Sequence, residues 1–146
     1  MGLKVKGISN AKKNLNDLIN DVKGRKAVRA IQSALILGSA RAAYYTPIDT
    51  STLINSQFRE MDFSGVLITG RVVYSANYAA YVHEMSGKLK GQPRAHFGKT
   101  REGKSFGGGT EKGNYWDPHA EPHFLSKGFD EEREAIDKVM LKELSL

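Results

Sequence analysis

The chain contains no cysteine. Disulfide frameworks, thiolate nucleophiles and cysteine-ligated zinc are therefore excluded. It also has no apolar run approaching the roughly 20 residues that a membrane-spanning helix requires. The most apolar stretch, Ala34-Leu35-Ile36-Leu37, is short and lies inside a helical pattern. No membrane partner is expected. Met1-Gly2-Leu3-Lys4-Val5-Lys6 carries no apolar region of the kind that forms a secretory signal, so synthesis in the cytoplasm is expected. Catalytic signatures are scarce as well. There is no Gly-x-Ser-x-Gly elbow and no His-Glu-x-x-His pair. Gly107-Gly108-Gly109 is followed by no Gly-Lys-Ser/Thr and preceded by no strand, so it is not a phosphate-binding loop. No catalytic residue and no cofactor are assigned, and the chain is read as a non-enzyme.

What is present fits one domain, residues 1–146, with a real core. The net charge of +6 is unevenly spread. Residues 1–44 carry nine Lys/Arg against Asp17 and Asp21, and residues 85–115 carry seven against Glu102 and Glu111. Residues 116–146 reverse the sign, with eight acidic residues against four basic ones. A basic front and an acidic tail can steer one copy onto another as readily as onto DNA.

Leu3 and Val5 alternate with lysines and suggest a short edge strand or arm. Ser9 or Asn10 is positioned to cap a helix whose face is Ala11, Leu15, Leu18, Ile19 and Val22, with Gly24 as its stop. A longer helix is predicted from about Arg25 to Tyr45. Val28, Ile31, Leu35, Gly38, Ala42 and Tyr45 follow its packing seam, and Pro47 ends it through the restriction on Thr46. Small residues from Gly38 to Ala43 make its C-terminal half the expected burial site. A helical turn is expected over Thr52–Ser56, with Asp49, Thr50 or Ser51 as cap. Gln57–Phe63 and Val66–Tyr74 read as an antiparallel hairpin turned at Ser64-Gly65, with Val66, Ile68, Val72 and Tyr74 on one face and Thr69 and Arg71 on the other. Periodicity does not decide whether Asn77–Met85 is helix or strand. Residues 86–115 hold eight of the fifteen glycines, and are expected to form a mobile basic excursion that orders against a partner. An extended, two-proline segment then leads to a helix over about Leu125–Leu144, with Phe129, Ile136, Val139 and Met140 as its stripe.

Three short motifs stand in a suggestive order: Pro47-Ile48-Asp49-Thr50 with Leu53 and Ser56, then Tyr78-Ala79-Ala80-Tyr81-Val82-His83-Glu84, then Pro122-His123-Phe124-Leu125. With the basic helical N-terminus and the hairpin, they make the chain resemble the tail-completion, or minor tail, proteins of long-tailed phages and prophages. The resemblance spans most of the chain and rests on the motif positions Pro47, Asp49, Thr50, Tyr78, Tyr81, Glu84, Pro122 and Phe124. Two departures occur. Ser51 stands where the family commonly has Gly, and Met85-Ser86 where Gly-Thr is common. The resemblance implies an α+β subunit in a ring, expected to be a hexamer, in the neck of a virion assembled in the host cytoplasm. Its partners would be copies of itself, the head-closure or connector ring, the tail-terminator or tail-tube protein, and genome DNA in the lumen.

The expected architecture is α+β, with long N-terminal helices and a C-terminal helix packed on a small antiparallel sheet, and a basic Gly-rich loop. Lys88, Lys90, Arg94, Lys99, Arg101, Lys104 and Lys112 are the candidate contacts to a neighbouring subunit or to DNA phosphates. His119, Glu121 and His123 share a face of an extended chain, with Asp117 and His83 in reserve, and so could be drawn as a metal site. The preferred reading is histidines packed at an interface, with no metal. Asp49 is read as a helix cap and Glu84 as an interface or hydrogen-bonding residue. Tyr74 is assigned to the core, Tyr78 and Tyr81 to core or interface. The competing function is a small basic protein that binds duplex DNA without specificity.

Overall fold

The expected boundary at Gly24 is not a stop. In the computed structural model, which describes residues 7–65, 67–94, 98–99, 102, 105–106 and 115–145, helix α1 (Ile8–Asp21) runs into α2 (Ala27–Tyr45) through a π-helical turn, Val22–Lys26. Gly24 is absent from the glycines with positive φ, so it never takes the left-handed conformation that terminates a helix. Arg25 instead reaches back to Asp21 across the turn at 3.0 Å. Lys26 Nζ donates to the Ser145 carbonyl and Arg29 pairs with Glu143, tying the junction to the far end of the chain. Ser9 and Asn10 lie within α1 rather than before it; the Gly7 carbonyl accepts the first helical hydrogen bond, from Ala11. The proposed strand at Leu3–Val5 falls outside the described residues.

No residue of α1 is buried. The packed part of the rod is α2, where Ala30, Leu35, Gly38, Ser39 and Ala42 are covered. Thr46 ends it in extended conformation (φ −68°, ψ 125°), as a residue before proline must. Its hydroxyl bonds the Ala42 carbonyl and the Tyr74 hydroxyl, both at 2.8 Å, so the buried threonine is satisfied.

Helices α5 (Phe124–Glu131) and α6 (Arg133–Leu144) pack along α2. A turn at Glu132 divides what the sequence presents as one helix. Two glycines set the α2–α5 spacing. A Cβ on Gly128 would lie 2.4 Å from the Ala42 nitrogen, and one on Gly38 would lie 2.3 Å from the Phe129 ring.

Against Ile31 and Leu35 of the same seam, β1 (Gln57–Ser64) pairs antiparallel with β2 (Leu67–Tyr74), in a register from Gln57↔Tyr74 to Ser64↔Leu67. The turn therefore opens after Ser64, one residue later than expected, and Gly65 at φ +61° supplies the left-handed residue that tight hairpins favour. Gly70 admits Ile31 and Leu35 of α2 against the sheet, since a Cβ there would come within 2.4 Å of Ile31. Between these elements, α3 (Thr52–Asn55) and α4 (Ala79–His83) close a second small core, in which Leu53, Ala79 and Phe124 are buried beneath Tyr45, Tyr74, Val82 and Leu125. The ambiguous segment 77–85 is thus helical. A short pair, β3 (Gly98–Lys99) and β4 (Ser105–Phe106), lies within the glycine-rich region, so a two-residue strand precedes Gly107 where none was expected. Among the described residues no helix is long and apolar enough to cross a membrane.

The glycine spacing carries a test. Gly128→Ala forces a methyl onto the Ala42 backbone, which has no flexible end to move, and is expected to cost about 3 kcal/mol. Gly24→Ala meets nothing within 4 Å among the described residues and is expected to be neutral or stabilising by up to about 1 kcal/mol. Urea denaturation midpoints of the two variants check the contrast.

Candidate functional site

The three motif segments, far apart in sequence, meet around one groove of about 680 Å³. The first leaves the end of α2. Ile48 donates its N–H to Asp117 Oδ2 at 2.9 Å, and Asp49 pairs with Arg94 at 2.8 Å. The Arg94 guanidinium also lies 4.5 Å above the Trp116 ring, and its side chain is only 4% exposed. Asp49 is therefore not the cap of α3. Ser51 occupies that position in left-handed conformation (φ +62°) and makes no side-chain capping bond. A carboxylate facing an arginine gains more there than from one helical N–H, because both partners are charged.

The second segment forms α4. Val82 turns into the core cluster, Tyr78 lines the groove, and Tyr81 points outward with 73% exposure. Glu84 follows the helix end, with Oε1 3.0 Å from His83 Nδ1 and 3.7 Å from His123 Nδ1. The His83 contact, aided by the charge of His123, holds the Glu84 carboxyl below the ordinary glutamate value. The third segment locks onto the second. His123 N donates to the His83 carbonyl at 2.9 Å, and Phe124, 1% exposed, meets Tyr74 and His83 edge-on at 5.2 Å. His123 itself sits at φ +52°, and Gly87, at φ +70°, lets Pro122 close the corner.

The excursion expected to leave the body at Ser86 stays attached through Arg94. Gly91 donates to the Trp116 carbonyl, Trp116 to that of Gln92, and Pro93 bridges to Tyr115. Of the seven candidate contact cations, Arg94 is turned inward against Asp49. Lys90 is joined to Glu121, which also meets Lys127 at 3.2 Å. Lys88 is exposed at the groove edge. Lys99 is placed only as backbone in β3, and Arg101, Lys104 and Lys112 lie outside the described residues. Glu121 has its carboxyl lowered chiefly by the Lys90 hydrogen bond, with Lys127 adding to it.

His119, Glu121 and His123 do not assemble. His119 stacks obliquely near Tyr44 at 5.9 Å, Glu121 serves the two lysines, and His123 joins His83 and Glu84 instead. The sequence reading placed His123 and His83 among possible ligands but did not join them with Glu84, because 40 residues separate His83 from His123 and no spacing rule connects them. No protein-family model, curated protein or solved structure matches the chain.

Two outcomes are expected here. Ser51→Gly relieves a left-handed residue that has a Cβ, and should stabilise by about 0.5–1 kcal/mol, measured by thermal and urea unfolding. Glu121 has a lowered folded-state pKa, so the stability it supplies is complete above the unfolded value of about 4.5 and is lost as pH falls through the lower folded value. Glu121→Gln should thus be less stable than the parent at neutral pH, with the gap closing below about pH 4 in urea titrations.

Proposed function

We propose that this chain is a non-catalytic structural subunit of a tailed-phage neck, one copy in a ring that completes the tail and joins it to the head connector around the DNA channel. The observation that carries the reading is the convergence of the three motif segments. Pro47–Thr50, Tyr78–Glu84 and Pro122–Phe124 carry the likeness to tail-completion proteins, and they build one groove and the small core beneath it. A chance likeness spread over short words would not be expected to converge in this way.

Unpartnered apolar surface supports an assembly role. Helix α1 extends about 21 Å at 1.5 Å per residue and exposes Ile8, Leu15, Leu18 and Ile19. The hairpin exposes Phe58, Phe63 and Leu67. Apolar groups of this size suit contacts with other subunits. A ring of about six copies with heterologous contacts, stacked between connector and tail-tube rings, would cover them. Assembly in the host cytoplasm and residence in the virion follow from the same reading.

The DNA-binding alternative draws on the net positive charge, yet many of the cations have partners inside the chain. Arg25, Arg29, Arg41, Arg71 and Arg94 each lie against a carboxylate. Such pairing lowers the gain available from phosphate contacts. The test is imaging of particles from a host in which the gene carries an early stop codon. Filled heads and separate tails that fail to join are expected; normal joined virions would overturn the proposal.

A further inference from the structure

The geometry points to a divalent transition-metal site, best suited to Zn²⁺, formed by His83 Nδ1, Glu84 Oε1 and His123 Nδ1 on the rim beside the groove. This inference is independent of the role in assembly.

One ligand atom from each of the three residues lies within 4.8 Å of the others. Glu84 Oε1 stands 3.0 Å from His83 Nδ1 and 3.7 Å from His123 Nδ1. Zinc bonds of about 2.0–2.1 Å at tetrahedral angles require ligand atoms about 3.3 Å apart. The two observed separations straddle that edge, so small side-chain adjustments bring the donors onto one ion. Two imidazoles and one carboxylate make a borderline donor set that suits zinc and is poor for calcium or magnesium, which take oxygen ligands.

The scaffold holds the donors firmly. His83 ends α4 and His123 immediately precedes α5, and the bond from His123 N to the His83 carbonyl fixes the two backbones together. The His83 ring packs edge-on against buried Phe124, and its Nε2 is buried without a hydrogen-bond partner among the described residues. Nδ1 is thus the ring nitrogen that His83 can offer outward. Glu84 and His123 side chains are 69% and 55% exposed. Three protein ligands with an open side toward solvent leave a fourth position, which water or a donor from a neighbouring subunit can fill.

The experiment uses the untagged full chain, metal-stripped, titrated with Zn²⁺ by calorimetry and with Co²⁺ by visible absorption. The expected result is one ion per chain, a raised thermal midpoint, and the intense visible bands of four-coordinate Co²⁺. His123→Asn and Glu84→Gln, both at exposed side chains, should each weaken binding by more than about tenfold while leaving the far-ultraviolet circular dichroism unchanged. His119→Gln should bind as the parent does. Binding below one equivalent, parent-like affinity in His123→Asn and Glu84→Gln, or loss in His119→Gln would each overturn the site.

Discussion

Helix α5 closes on α2 with no room for a side chain between them: Gly128 rests on the Ala42 backbone and Gly38 accepts the Phe129 ring. Everything around the groove depends on that contact. It sets the height at which Phe124 enters the small core, and Phe124 in turn fixes the turn through Pro122 and His123. Side chains at either glycine would separate the helices and lift this corner away from α4. Small residues here exchange side-chain volume for proximity, which lets many weak dispersion contacts form at once. The flanking ion pairs, Arg41 with Glu131 and Arg29 with Glu143, are exposed and add orientation more than stability.

Local pattern was a good guide wherever a single element determines its own form. The seam from Val28 to Tyr45, the stop before Pro47 and the hairpin were legible because period and turn chemistry act over a few residues. The single glycine at position 24 misled, since a helix stop needs a left-handed residue and Gly24 instead stays within a π turn that carries the chain on into α2. Asp49 misled for a related reason: its partner Arg94 lies 45 residues away and no local rule competes with a charged pair over an aromatic ring. The candidate site was legible only in part. Its motif positions were named, but the meeting of His83 with His123 is a product of tertiary packing.

The glycine-rich region divides into parts of different character. Up to Arg94 the chain is fastened by backbone bonds and by two cations that neutralise acidic partners on the body. Composition alone treats all seven basic residues alike, whereas the fold employs two of them internally. Counting cations therefore overstates the charge that the stretch up to Arg94 leaves unpaired.

The π turn at Val22–Lys26 has a geometric effect on the arm that precedes it. Counted at about 100° per residue, the apolar stripe of α1 would stand roughly half a turn from the seam of α2 if the helix were regular throughout. A π turn accommodates one residue without advancing the α-helical phase, a correction of about 100°. The stripe is thereby rotated to within about a quarter turn of the seam, toward the side on which the body lies. The facing direction of α1 is thus a matter of residue counting, and one residue more or fewer in the turn acts as an angular setting on its apolar stripe.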